Sequence, residues 1–200
     1  MMQEDFGLIS IIMAAYNTEK TIEQAINSVL SQTYTNFELL VVNDCSTDRT
    51  AEFVKSIAAK DSRVRLISNV KNNGVSYTRK HGLEEAKGSW IAILDSDDAW
   101  APEKLEKQIE LQEKTNADLL FTGSAFMDSE GQLIDWYLRA PSEVTYRQLL
   151  KQNVLSNSSA LVRKELYAKH YAIGDGMHED FAIWLSICLL YTSDAADDLI

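Results

Sequence analysis

The sequence predicts an α/β fold: one domain with a mostly parallel central sheet flanked by helices. Short, nearly continuous apolar runs, the pattern of strands buried on both faces, alternate with stretches whose apolar residues recur every three or four positions, the pattern of an amphipathic helix. Such alternation implies right-handed crossovers between parallel strands. The strand-like runs also lead to unusual polar clusters, Ala15-Tyr16-Asn17, Asn43 through Asp48, Asn72-Asn73-Gly74, and Asp95 through Asp98. In an open α/β sheet, ligands gather beyond the carboxyl ends of the strands, so these clusters mark one rim.

The elements follow in order. Residues 8–15 form the first strand-like run, and Ile22, Ala25, Ile26, Val29 and Leu30 share one face of the helix expected after it. Asn17 and Thr18 offer cap oxygens ahead of that helix. A second strand is expected over 37–42, then a polar turn over 43–48 and a helical stripe of Ala51, Val54, Ile57 and Ala58. A third strand over 64–67 leads through a loop at 69–74 to a helix over 75–86, with Gly88 beyond it as a helix stop. Residues 90–94 make a fourth buried strand. Pro102 suits the first turn of the next helix, where its missing N–H costs nothing; that helix is expected to reach Lys114, with a strand over 117–122 after it. No long Pro-, Gly- or Ser-rich linker divides the chain.

Bulk properties narrow the function classes. Of the 200 residues, 46% are hydrophobic and 24% charged, which suits a globular domain with a real core. A formal net charge of −11 argues against nucleic-acid binding through a general positive field. Cys45 and Cys188 match no zinc spacing and fit a reducing compartment. The acidic start lacks the basic-then-apolar order of a signal peptide, and no apolar run approaches the ~20 residues of a spanning helix. No G-x-G-x-x-G follows the first strand, and residues 14–20 hold no glycine-rich basic phosphate loop. Dinucleotide oxidoreductases and nucleotidyltransferases are thereby disfavoured.

The cluster Asp95-Ser96-Asp97-Asp98 is the most informative. Three carboxylates within four residues repel one another unless a cation or solvent intervenes. Alternating Asp95 and Asp97 can converge on Mg²⁺ or Mn²⁺, which take one or two carboxylates plus substrate phosphate. The plain alternative is an acid-rich helix start. Tyr16 is either a ring on which a base stacks or a rim residue, Asp44 either a base acceptor or a turn residue, and Arg79 either a phosphate ligand or an exposed arginine. Glu179 and Asp180 open an apolar helical stripe of Phe181, Ile183, Trp184 and Leu185, as a general base at the rim or as dipole-favoured acids. His178 reads as a loop or cap residue. Trp136, Tyr137, Asn157 and Ser158 are candidates for an acceptor side, and Trp100 for covering the donor; each has a packing alternative.

Three blocks, SIIMAAYNTEKTIEQAINSVLSQTYTNFELLVVNDCSTDRT, NNGVSYTRKHGLEEAKGSWIAILDSDDAWAPEKLEKQ and HEDFAIWL, resemble family 2 glycosyltransferases of the GT-A fold, a Rossmann-like α/β fold. The resemblance implies a metal-dependent inverting enzyme that moves a sugar from a nucleotide-diphosphate sugar, often a UDP-sugar, to a hydroxyl acceptor in bacterial polysaccharide synthesis. It places Ala14, Ala15, Tyr16, Asp44, Arg79, Asp95 and Ser96 at the donor. Asp95 and Asp97 become a DxD motif for Mn²⁺ or Mg²⁺, with Asp97 the direct ligand and Asp98 an adjacent candidate, and Asp180 becomes the catalytic base. Acceptors in the family are often lipid-linked, which is compatible with a cytoplasmic protein at the inner membrane face. Against the family pattern, Ala14-Ala15 replaces a proline-containing pair, Lys80 replaces a frequent asparagine, and Cys45 replaces a common glycine, a strained exchange if that position has a positive φ. One domain is expected over 1–187. Residues 188–200 read as a translated adapter, so the natural chain is expected to run further. The competing expectation is a truncated nucleotide-binding module without transferase activity.

Overall fold

The computed structural model describes residues 6–128, 131–171 and 179–192. In order they form β1 (Ile9–Ala15), α1 (Ile22–Leu30), β2 (Phe37–Asn43), α2 (Thr50–Ala58), β3 (Val64–Ser68), α3 (Val75–Glu85), β4 (Trp90–Ile93), α4 (Lys104–Thr115), β5 (Leu119–Leu120), β6 (Ser124–Met127), β7 (Leu133–Leu138), α5 (Tyr146–Lys151), a 3₁₀ turn (Asn157–Ser159), β8 (Leu161–Arg163), α6 (Lys164–His170) and α7 (Glu179–Thr192).

The main sheet has the order β3-β2-β1-β4-β8-β5. The first four strands are parallel, β1 pairing with β2 from Ile9–Phe37 to Ala15–Asn43 and with β4 from Ile9–Trp90 to Ile12–Ile93. β8 is antiparallel to both β4 and β5. The chain order reverses between β1 and β4, which is where an open α/β sheet leaves its crevice.

Strand alternation sends successive β1 side chains to opposite faces. Ile9, Ile11, Met13 and Ala15 join one core with Ile22, Ala25, Ile26 and Val29 of α1, Val54 of α2, and Leu105 and Ile109 of α4. Ile12 joins the other with Leu40, Leu83 of α3, Tyr167 of α6, and Ile183, Trp184 and Ile187 of α7. Three layers result, helix on sheet on helix. α7 continues past residue 187, and Cys188 is buried in this second core; residues 193–200 lie outside the described residues.

Several local expectations are corrected. Asn17 and Thr18 give no side-chain cap to α1: Asn17 Oδ1 accepts from Thr47 N at 2.8 Å, and it is the backbone oxygen of Thr18 that receives the N–H groups of Thr21 and Ile22. α4 begins at Lys104, two residues after Pro102, and the strand expected over 117–122 shortens to Leu119–Leu120. α3 ends at Glu85, before Gly88 could stop it. Gly88 is needed for close approach instead, because a Cβ there would lie 2.5 Å from Leu8 O and 2.7 Å from Ser10 N. Its N–H donates to Ser10 Oγ at 2.8 Å.

Gly88→Ala must therefore push two backbones apart. It is expected to lower stability by about 1–3 kcal/mol, the usual range for overpacking, in denaturant unfolding followed by circular dichroism.

Candidate active site

β1 and β2 end in loops that are stitched together. Asn17 N donates to Ser46 Oγ at 3.0 Å, Thr18 N to Thr50 Oγ1 at 2.8 Å, and Glu19 N to Asp48 Oδ2 at 3.0 Å. Two non-glycine residues in these loops have positive φ, Asn17 at 53° and Cys45 at 63°. Asparagine tolerates that region; cysteine does not, so the glycine-to-cysteine departure falls where a strained backbone results.

Beside these loops lies a cleft of about 360 Å³, a size suited to a small ligand, lined by Ala14, Ala15, Tyr16, Asp44, Asn72, Gly74, Val75 and Thr78. The structure thus brings together four of the residues expected at the donor: Ala14, Ala15, Tyr16 and Asp44. Tyr16 is 49% exposed and presents its ring to solvent. Asp44 is 3% exposed and builds the cleft wall: its Oδ1 accepts from Asn69 Nδ2 at 2.7 Å and Asn73 N at 3.0 Å, and its Oδ2 from Gly74 N at 2.9 Å. Asn69 also donates to Thr78 Oγ1 at 3.0 Å, which ties the wall to α3. Sequence reasoning missed Asn69 and Thr78, whose roles depend on partners brought in by β2.

On the other side of β1, the acidic motif leaves β4. Its three carboxylates have three different environments. Asp95 Oδ1 receives Arg79 Nη2 at 2.5 Å. Asp98 Oδ2 receives Ser158 Oγ at 2.5 Å, and the same hydroxyl accepts from Asp95 N at 3.0 Å. Asp98 is exposed as a residue, but its carboxyl end is withdrawn against Ser158. That withdrawal raises its pKa, with the charges of Asp95 and Asp97 adding and the Ser158 hydroxyl opposing. Asp97 is exposed and has no hydrogen-bond partner among the described residues, whereas Ser96 is buried.

Arg79, expected at the donor or on the open surface, is 8% exposed and turned towards protein acceptors. Besides Asp95 it pairs with Glu179 at the start of α7. With its amide oxygen facing the guanidinium, Asn157 accepts from Nη2 at 3.0 Å and Nε at 3.2 Å. Burial alone would lower the Arg79 pKa, but Asp95 and Glu179 outweigh it and hold it above the ordinary arginine value. Asp180, the expected base, is the next residue of α7 and is partly exposed. His178 lies outside the described residues.

The candidates for covering the donor and lining the acceptor side divide. Trp100 packs beneath the rim: it is 7% exposed and donates from Nε1 to Ser158 O at 2.7 Å. The ammonium of Lys104 lies 4.0 Å from its ring centroid, and burial pushes that amine down to about 7. Asn157 and Ser158 are buried under the acidic motif. Trp136 and Tyr137 stand 62% and 58% exposed on β7.

A metal fits this rim in a limited way. Among the described residues no group of three or more His, Cys, Asp or Glu side chains is arranged to hold an ion. Asp95 and Asp97 could supply two oxygen ligands, with the remaining positions open to phosphate and water, as Mg²⁺ and Mn²⁺ sites commonly have. Among the described residues no helix is long and apolar enough to cross a membrane.

Asp44→Ala would remove both acceptor oxygens of the Asn73 N–H and leave Asn69 Nδ2 with Thr78 Oγ1 and Gly74 N with Asn72 Oδ1 alone. A stability loss of about 1–3 kcal/mol is expected, together with faster amide exchange at residues 73 and 74 and little change in α1.

Comparison with known proteins shows the family and the fold. The family model described as glycosyl transferase family 2 matches residues 10–171. Over 183 residues the chain is 37% identical to the UDP-Glc:alpha-D-GlcNAc-diphosphoundecaprenol beta-1,3-glucosyltransferase WfgD of Escherichia coli, covering 92% of this chain and 70% of that protein. The crystal structure of S. aureus TarS 1–349 superposes with a TM-score of 0.73 at 26% identity, over 90% of this chain and 55% of that one, and its complex with UDP gives 0.72. The mannosyltransferase PcManGT of Pyrobaculum calidifontis, solved with GDP-Man and Mn²⁺, shares the fold at 18% identity, with a TM-score of 0.71 over 94% of this chain and 54% of that one. The fold is GT-A, and the chain belongs to glycosyl transferase family 2.

Proposed function

We propose that this chain transfers the sugar of a UDP-sugar, with inversion, to a hydroxyl of a glycan or lipid-linked acceptor in polysaccharide assembly. The observation that carries the reading is the shared rim: the cleft at the ends of β1 and β2 adjoins the acidic end of β4, and α7 begins one residue before Asp180 on the guanidinium that also holds Asp95. UDP as the nucleotide is supported by the UDP-Glc in WfgD's description and the UDP bound to TarS. A divalent ion is supported by the Mn²⁺ in PcManGT.

The chain's own groups divide the work. Ala14, Ala15 and Tyr16 hold the base, with Tyr16 stacking on it. Three donors already use Asp44, and one of them, Asn73 N, is shared between both oxygens, so a base N–H can take the place of the longer arm of that shared bond at Oδ2. Asp95 and Asp97 hold Mn²⁺ or Mg²⁺, with Ser96 between them. When bound, the ion neutralises charge on the leaving diphosphate, so no protein acid is needed there. Asp180 accepts the acceptor hydroxyl proton while that oxygen forms its bond to the anomeric carbon. The old carbon–oxygen bond breaks as its electron pair leaves with UDP, and a single displacement inverts the centre. One carboxylate suffices, unlike the pair of a glycosidase.

Calorimetric titration with UDP tests this reading. Binding is expected with Mn²⁺ and lost on chelation, and Asp97→Ala should weaken it by about tenfold or more, which is ~1.4 kcal/mol. Asp180→Asn should keep UDP affinity and lose ~10²-fold or more of the turnover. Metal-independent UDP binding, or equal affinity in Asp97→Ala, would contradict the assignment. UDP binding without turnover of any UDP-sugar would leave only a nucleotide-binding module.

A further inference from the structure

Four segments far apart in the chain meet on one guanidinium. α3 supplies Arg79, the end of β4 supplies Asp95, the 3₁₀ turn supplies Asn157, and the first residue of α7 supplies Glu179. Of the five N–H bonds of the guanidinium, four point to protein: one from Nε and one from Nη2 to Asn157, one from Nη2 to Asp95, and one from Nη1 to Glu179. A side chain so occupied and 8% exposed has little left to offer a diphosphate.

The charges explain what it does instead. One buried cation is shared by two carboxylates, so Asp95 has only part of a counter-charge. Its second oxygen, Oδ2, carries no hydrogen bond among the described residues. A divalent cation held by Asp95 would compete with Arg79 for that carboxylate. Glu179 would keep the guanidinium in place if Asp95 turned towards such an ion. Because Glu179 precedes Asp180 in the first turn of α7, strengthening the Arg79–Glu179 pair also fixes the residue assigned as base.

We propose that Arg79 and Glu179 are a positioning pair that couples the acidic end of β4 to the helix bearing the base, acting through Asp95 and α7 without gripping the donor phosphates. The inference rests on the proposed roles of Asp95 and Asp180.

Two measurements on the full chain test it. In ligand-free protein, an α-helix that starts at Glu179 pairs the amides of Ile183 and Trp184 with the carbonyls of Glu179 and Asp180. Arg79→Lys keeps the charge but loses the fork. It should speed exchange of those two amides by about tenfold while Ile109 in α4 keeps its wild-type rate. If exchange rises throughout the chain, Glu179→Gln, which keeps the shape of the side chain, decides the same comparison. In the second measurement, affinity for UDP with Mn²⁺ is determined for Asp95→Asn, Glu179→Gln and the double variant. The pair should be non-additive by about fivefold or more. Unchanged exchange of Ile183 and Trp184, or additive affinities, would overturn the proposal. If wild-type protein binds no UDP with Mn²⁺, the proposed function fails, while amide exchange still decides whether Arg79 staples α7.

Discussion

The pairing of β1 between β2 and β4 is the constraint on which the rest of the structure depends. All seven residues of β2 and the four of β4 are buried, and every β1 residue except Ala14 is buried. Each large aliphatic side chain taken from water contributes about 1.5–3 kcal/mol, so the strand order is set by burial long before the rim chemistry matters. Once it is set, the carboxyl ends of three parallel strands must face the same way. The cleft with Asp44 then falls on one side of β1 and the acidic motif on the other.

That rim carries unfavourable features which the core supports. Cys45 occupies a left-handed backbone region, and Asp95 and Glu179 share one buried cation. Asp98 is relieved by Ser158, whose hydroxyl also accepts the Asp95 N–H. Asp97 alone among the three acids stands exposed without a hydrogen-bond partner among the described residues. Asp98 is thus tied into the fold, while Asp95 keeps its Oδ2 without a hydrogen bond among the described residues beside the pair with Arg79, and active sites commonly sacrifice stability in this manner.

Much of this was legible in the sequence, for physical reasons that also explain what was not. β1 through β4 and the helices between them announced themselves because strands buried on both faces need continuous apolar runs. The region after Ala125 did not. β6 and β7 form a separate ribbon with Leu133, Trp136 and Tyr137 exposed, so no burial pattern marks it, and β8 is only three residues long. The capping box of Thr145 and Gln148 that starts α5 was a readable signal left unused. At the rim, Tyr16, Asp44 and Asp95 were legible from their positions after strands. Arg79 was not, because its burial comes from partners 16, 78 and 100 residues away. Trp100, which the sequence leaves between covering the donor and packing, is settled as packed by Ser158, 58 residues on, which accepts its indole N–H.

The central claim is that this rim binds a nucleotide diphosphate, and mapping the amide signals of isotope-labelled protein on addition of UDP with Mg²⁺ tests it most directly. The account predicts that the largest shifts fall at Ala15, Tyr16, Cys45, Gly74, Ser96 and Asp97, and that chelation of the metal reverses those at Ser96 and Asp97. Shifts centred instead on the β6–β7 ribbon, or none at saturating UDP, would contradict it.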